Sequence, residues 1–218
     1  MSLTDSQHVV TSIRFLTEST FVIGFTRCGM RFRSGQHLIV GINGELDQRE
    51  YSIYSGENDE EIEILVREVS GGNISSKLKQ CSPGVVLNVN GPFGSFGSTI
   101  TSKRHNKHIF IASGTGISPF HSIVRTFPDL DYLIIHGVSF NNEAYECNEY
   151  DPERYVLCTS REKSTGYNGR VTNYLVDFPV NDKMIFHICG NGNMIYDVQK
   201  LLKNKGILQS AIITERYF

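Results

Sequence analysis

Ile111-Ala112-Ser113-Gly114-Thr115-Gly116-Ile117-Ser118-Pro119-Phe120 sets two glycines and a proline directly after an apolar run. The run reads as a buried strand, and the proline suits the first turn of a helix. A strand-to-helix turn of this kind exposes free backbone N–H groups at the positive end of a helix dipole, which attract a phosphate. Glycine there lets the backbone approach a pyrophosphate without an intervening Cβ. Upstream, Arg49-Glu50-Tyr51-Ser52-Ile53-Tyr54-Ser55 offers different chemistry. Strand alternation puts Arg49, Tyr51 and Ile53 on one face and Glu50, Ser52 and Tyr54 on the other. A cation, a flat ring and a small hydroxyl at one strand end are the partners a flavin nucleotide needs. The guanidinium suits its phosphate, the phenol ring its ring system, and the hydroxyl its redox-active nitrogen. Taken alone, the segment also describes an edge strand with an exposed arginine and a packed tyrosine.

The elements that must hold these residues change character along the chain. Up to about residue 100, Phe21–Phe25, His37–Val40, the segment around Tyr51 and Ile62–Val66 read as short strands separated by Gly, Asn or Asp clusters. Only Asn73–Gln80 looks helical, with Pro83-Gly84 turning the chain after it. This pattern predicts a small antiparallel barrel. After the polar stretch 101–107, apolar strands at Ile109–Ala112, Tyr132–His136, Tyr155–Cys158, Ile185–Cys189 and Ala211–Thr214 alternate with helical or irregular segments. Met194, Ile195, Val198, Leu201 and Leu202 recur at helical spacing before Gly206. Alternation of this kind predicts a doubly wound parallel sheet, whose ligands bind at the carboxyl ends of its strands. Gly114, Gly137, Ser160 and Gly190 fall at such ends. The expected division is residues 1–103 and 104–218.

The net charge of −2 gives no reason to expect nucleic acid or an anionic membrane as partner. No apolar run approaches the roughly 18 residues of a spanning helix. The first residues, Met1 to Asp5, lack the basic and apolar regions of a secretory signal, so a cytoplasmic location is the expectation. Cys28, Cys81, Cys147, Cys158 and Cys189 are widely spaced, without a C-x-x-C pair or iron–sulfur spacing. They read as reduced thiols, and any electron acceptor is expected to be a separate molecule. The seven histidines show no metal-ligand spacing and read as structural or surface residues. No metal is expected.

Together the two motifs resemble the ferredoxin–NADP reductase family of flavoproteins, in its short bacterial form. Further segments follow in the family's order: Gly71-Gly72-Asn73-Ile74-Ser75-Ser76-Lys77-Leu78, Gly91-Pro92-Phe93-Gly94, Ser160-Arg161-Glu162, Gly169-Arg170, Cys189-Gly190-Asn191-Gly192-Asn193-Met194 and the terminal Thr214-Glu215-Arg216-Tyr217-Phe218. The resemblance implies an N-terminal antiparallel flavin-binding β-barrel followed by a doubly wound nucleotide-binding domain. It implies FAD held by Arg49, Tyr51, Ser52, Gly72, Asn73, Ile74, Ser75 and Phe218. NADP(H) would be held by Gly114, Thr115, Gly116, Ser160, Arg161, Arg170, Cys189, Gly190 and Asn191. FAD is preferred over FMN because the segment from Gly71 suits a pyrophosphate.

By the same resemblance, hydride passes between NADP(H) and FAD, and single electrons pass between the flavin and a ferredoxin or flavodoxin. Ser52, Cys189 and Glu215 are its expected catalytic residues. With its context ignored, Cys189 reads more readily as a buried structural thiol, and Glu215 reads equally as an exposed strand-end carboxylate. Arg27, Arg31, Arg33, Lys77 and Lys79 form a basic fringe for an acidic partner, or solvated faces. Two departures stand out: Gly192 occupies the place where the family commonly has proline, and the flavin side lacks a separate adenine-binding loop with an aromatic of its own. Two other outcomes fit the same residues, the reductase component of an oxygenase or hydroxylase and a flavin-binding regulatory subunit without turnover.

Overall fold

The computed structural model describes residues 6–217, the last by its backbone alone. The chain divides into two compact units, Met1–Ser98 with Ser118–Pro128, and Thr99–Ile117 with Asp129–Phe218.

The first unit contains β1 (Gln7–Phe15), β2 (Thr20–Thr26), β3 (His37–Ile42), β4 (Gln48–Ser52), β5 (Glu61–Arg67), the short helix α1 (Asn73–Lys79) and β6 (Val86–Phe93). The six strands form one antiparallel sheet in the order β4-β3-β6-β1-β2-β5. A bridge from Ile53, just past β4, to Ile64 of β5 joins the two ends and closes a barrel. Closure removes the free edges that an open sheet would leave. Phe21, Ile23, Phe25, Leu38, Val40, Ile62, Ile64 and Leu87 fill its interior. In the chain, α2 (Ser98–Ser102), β7 (Lys107–Ser113) and a 3₁₀ turn (Gly114–Ile117) follow, and then α3 (Ser118–Thr126), which counts with the barrel.

The second unit is a parallel sheet of β7, β8 (Tyr132–Val138), β9 (Tyr155–Thr159), β10 (Tyr167–Asn168), β11 (Met184–Asn191) and β12 (Ile212–Tyr217). Its order is β10-β9-β8-β7-β11-β12. From β7 the chain winds outward through β8, β9 and β10, then returns to place β11 on the other side of β7. The direction therefore reverses between β7 and β11, and that switch point opens a crevice at the carboxyl ends of these two strands. On one face Ile109, Ile111, Ile135, Phe186 and Ile188 pack with Val171 and Leu175 of α4 (Val171–Asp177) and Ile195, Val198 and Leu202 of α5 (Gly192–Asn204). No helix of the described residues is long and apolar enough to cross a membrane.

Candidate functional site

In the barrel unit, β4 pairs with β3 so that Ser52 lies opposite His37, Tyr51 opposite Leu38 and Arg49 opposite Val40. Arg49 is exposed, and among the described residues its guanidinium donates only to the neighbouring Gln48 carbonyl, at 2.8 Å. Tyr51 packs its ring against the barrel core. Burial pushes its phenol up to about 12, against the opposing pull of Arg49, so the ring is a neutral platform. Ser52 is buried, and its backbone carbonyl accepts from Ser118 Oγ at 3.1 Å. Its own hydroxyl has no hydrogen-bond partner among the described residues. Leaving a buried hydroxyl unpartnered is costly, so the group calls for an explanation.

α3 extends this grip on the strand exit. His121 Nδ1 donates to the Tyr54 carbonyl at 2.7 Å, and Ser122 Oγ to the Ser55 carbonyl at 2.6 Å. The His121 ring stacks on Tyr54 with centroids 3.7 Å apart. The residues around Ser52 are therefore held through their backbone, and its hydroxyl is left over.

α1 begins at Gly72, whose N-cap position offers no side-chain bond to the helix. Asn73 Nδ2 donates to Asp47 Oδ2 at 3.2 Å, and Lys77 pairs with Glu45, so the helix start is tied to the β3–β4 turn. Ile74 points into the core, and Ser75 Oγ accepts from the Val69 N–H at 3.1 Å. Of the expected flavin residues here, Ile74 can offer a ligand only its backbone. Phe218 lies outside the described residues.

In the sheet unit, the two glycine segments meet at the switch point. A Cβ on Gly116 would lie 2.4 Å from the Cys189 carbonyl oxygen and 2.7 Å from Gly190 Cα. The turn after β7 can thus sit this close to the end of β11 only as glycine. Ser113 Oγ accepts from the Asn191 N–H at 3.0 Å and fastens the same two strand ends. Asn191 also caps α5, its Oδ1 accepting from Asn193 N at 2.9 Å, so this amide oxygen is committed to the helix. Pairing places His136, Ala112, Cys189 and Glu215 in one row across β8, β7, β11 and β12. Residues in register on parallel strands share a face, so the Cys189 thiol and the Glu215 carboxylate project together. Cys189 is fully buried. The exposed Arg216 guanidinium lies 2.8 Å from where a Gly192 Cβ would be, and this flexible side chain can move aside.

Ser160, Arg161 and Arg170 gather at the carboxyl end of β9. Ser160 and Arg161 hang their N–H groups on the Val138 and Ser139 carbonyls, and Gly169 donates to the Thr159 carbonyl at 2.8 Å. The Ser160 hydroxyl donates to the Val138 carbonyl at 3.2 Å, so its one proton is spent. The exposed Arg161 side chain has no hydrogen bond or ion pair among the described residues.

Of the basic fringe, three members are occupied within the chain. Arg27 donates to the carbonyls of Met30, Asp59 and Glu57 and lies over the Phe32 ring, Lys77 pairs with Glu45, and Lys79 with Glu68 at 2.6 Å. The side chains of Arg31 and Arg33 carry no such bond among the described residues. Sequence reasoning passed over His136 as one scattered histidine among several. Its signal was position, at the carboxyl end of the strand beside the Gly114 turn.

These two clusters define a class of protein: a dinucleotide-binding sheet joined in one chain to a barrel that carries a flavin-type strand. Family models agree, with an oxidoreductase FAD-binding domain matching residues 2–97 and an oxidoreductase NAD-binding domain matching residues 110–200. One component of the 1,2-phenylacetyl-CoA epoxidase of Escherichia coli is 28% identical over 86% of this chain, which spans 59% of that protein's length. A flavodoxin/ferredoxin–NADP reductase of Rhodobacter capsulatus is 29% identical, over 99% of this chain and 92% of that one. The fold matches that of a ferredoxin NADP⁺ reductase from Neisseria gonorrhoeae, solved with bound FAD and NADP, with a TM-score of 0.85 at 20% identity over 97% and 98% of the two chains. The chain belongs to the ferredoxin–NADP reductase family of flavoproteins and is an NAD(P)H-dependent flavoprotein reductase.

Proposed function

We propose that this reductase takes hydride from NADPH and delivers single electrons to a separate ferredoxin or flavodoxin. Residues 1–103 serve the flavin in this reading and residues 104–218 the nicotinamide nucleotide. The observation that carries it is the buried, unpartnered Ser52 hydroxyl beside Tyr51 and Arg49, a donor without an acceptor where the flavin edge would lie. FAD, when bound, accepts electrons as a pair and releases them one at a time. Arg49 would hold its phosphate, Tyr51 would cover one face of its ring system, and Ser52 would donate to its redox-active edge. The free N–H groups opening α1, at Asn73, Ile74 and Ser75, would face its pyrophosphate.

Gly114, Thr115 and Gly116 would cradle the nicotinamide nucleotide's phosphates, with Cys189 and Glu215 flanking the nicotinamide. Gly190 and Asn191 would shape the same crevice by keeping its wall thin. Arg161 and Arg170 would read the 2′-phosphate that separates NADPH from NADH, with Ser160 holding the loop that presents Arg161. Orientation of two rings is the main demand of hydride transfer. Arg31 and Arg33 are the fringe residues left to meet an acidic carrier.

A second reading, the reductase component of an oxygenase system, is favoured by the similarity to the epoxidase component. Anaerobic titration with NADPH and NADH, followed by stopped-flow mixing with ferredoxin, flavodoxin or an oxygenase component, tests both readings. Bleaching at lower NADPH than NADH, with rapid reoxidation by ferredoxin or flavodoxin, is the expected result. Reoxidation only by an oxygenase component would favour the second reading, and a flavin bleached by neither nucleotide would overturn the first.

A further inference from the structure

His136 belongs to the row that holds Cys189 and Glu215, yet none of the assigned steps uses it. It is fully buried in β8, and both ring nitrogens are occupied. Nε2 lies 2.9 Å from the Gly114 carbonyl oxygen and Nδ1 lies 2.7 Å from the Tyr155 hydroxyl. A carbonyl only accepts, so Nε2 must carry the proton. With Nε2–H donating to Gly114, the bare Nδ1 accepts from the Tyr155 O–H. Burial drives the imidazole's pKa down to about 4, so the ring is neutral at physiological pH and has a single ring proton to place. Tyr155 is fixed in turn by stacking on Tyr150, their rings 5.2 Å apart and within 5° of parallel.

What this chain of bonds grips is the first residue of the phosphate turn. Gly114 has a left-handed backbone (φ +53), a conformation open to several arrangements unless something holds it. One side of the turn is fixed where Gly116 abuts Cys189 and Gly190. The other side is fixed by His136. We propose that His136 and Tyr155 act as positioning residues for the nicotinamide nucleotide, the tyrosine O–H anchoring Nδ1 so that the ring stays aimed and its Nε2–H holds the Gly114 carbonyl, which keeps the following N–H groups in place. The proposal rests on the reading that Gly114–Gly116 binds this nucleotide.

Three FAD-loaded variants test it: Tyr155→Phe, His136→Leu and His136→Gln. The readouts are calorimetric titration with NADP⁺ and NAD⁺, imidazole ¹⁵N shifts and the limiting rate of flavin reduction. The wild type is expected to show the Nε2–H tautomer. Tyr155→Phe should keep the Nε2–H tautomer, shift the Nδ1 resonance as its hydrogen bond is lost and weaken nucleotide binding about fivefold, and His136→Leu should weaken it about tenfold. His136→Gln supplies an amide donor where Nε2–H was and should bind within about twofold of wild type. The losses should fall on Kd and KM more than on the limiting rate. Wild-type binding strength in His136→Leu would overturn the proposal. So would a His136→Gln variant as weak as His136→Leu, with equal falls in melting temperature, because that pattern marks packing alone. A wild-type imidazole protonated on Nδ1 would overturn it too. A wild-type holoprotein that binds neither nucleotide would remove the underlying reading instead, and the unsubstituted protein alone reveals that failure.

Discussion

Ser52→Ala should change stability and catalysis in opposite directions. In the free protein the Ser52 hydroxyl is buried with no partner among the described residues, while its backbone is held by Ser118. Leaving such a hydroxyl unsatisfied costs about 1–3 kcal/mol. Alanine removes the group without touching the Ser118 bond, so the FAD-free variant should gain about 1 kcal/mol and melt about 3 °C higher. Loading FAD cancels this gain, because the wild-type hydroxyl then has an acceptor and the variant has nothing to offer it. The variant should bind FAD about fivefold more weakly, the equivalent of one hydrogen bond of about 1 kcal/mol. Its hydride transfer should slow about 10- to 100-fold through loss of ring orientation. Calorimetric melting with and without FAD measures the first pair of effects, and anaerobic stopped-flow reduction by NADPH the second. A variant less stable than wild type in the FAD-free state would refute the unpartnered hydroxyl. Unchanged FAD affinity and unchanged reduction would refute its placement at the flavin edge.

Arg161→Ala should raise KM for NADPH about tenfold and leave KM for NADH nearly unchanged; steady-state kinetics with both nucleotides checks this, and equal rises would remove the 2′-phosphate reading. Gly116→Ala should force the turn away from Cys189, since its Cβ would lie 2.4 Å from a carbonyl oxygen. Calorimetry should then show nucleotide binding weakened at least about tenfold with FAD retained, and normal binding would show that the turn is free to move. Acidification should destabilise the protein below about pH 6.5. Burial lowers the pKa of His108, His136 and His187 in the folded state, whereas the unfolded chain protonates them near 6.5. Unfolding then takes up protons, so the stability these residues contribute is complete above pH 6.5 and is lost as pH falls toward their folded values. His136, at about 4, accounts for about 3 kcal/mol of that loss. Urea unfolding at pH 7.5 and 5.5 measures the slope, and equal midpoints would refute it.

The strands carrying the chemistry were legible because their patterns were strong. β7, β8 and β11 are apolar runs ending at small residues, and β2 and β5 are rich in β-branched and aromatic side chains. β1 and β6 were not anticipated. Gln7, His8, Ser12 and Arg14 dilute β1, and Asn88 and Asn90 sit within β6, residue types that weaken a strand signal until neighbours supply the pairing. α5 was legible from its apolar spacing, whereas the short α4 opens on β-branched Val171 and Thr172 and carries Val176, residue types that blur a helix signal. Among the site residues, spacing could identify types but not which donors were spent. The sequence leaves Ser160 and Arg161 looking alike as phosphate partners, yet the structure commits the Ser160 hydroxyl to Val138. Such commitments depend on tertiary neighbours, which no local pattern encodes.

The ten residues from Ile111 to Phe120 show why a motif can be read correctly and still incompletely. Gly114, Thr115 and Gly116 belong to the sheet unit, where steric closeness to Cys189 and the His136 bond set the turn. Ser118 belongs to the barrel unit, where its hydroxyl holds the Ser52 carbonyl. Pro119 favours the helix that carries Ser118, His121 and Ser122 onto residues 52–55, because its fixed φ suits a first turn and its missing N–H costs nothing there. The phosphate-turn explanation accounts for the glycines and leaves Ser118 unexplained. The barrel contacts account for Ser118 and say nothing of the glycines. The stretch therefore answers to two sets of constraints within a few residues, one placing a nucleotide turn and the other the strand that ends in Ser52.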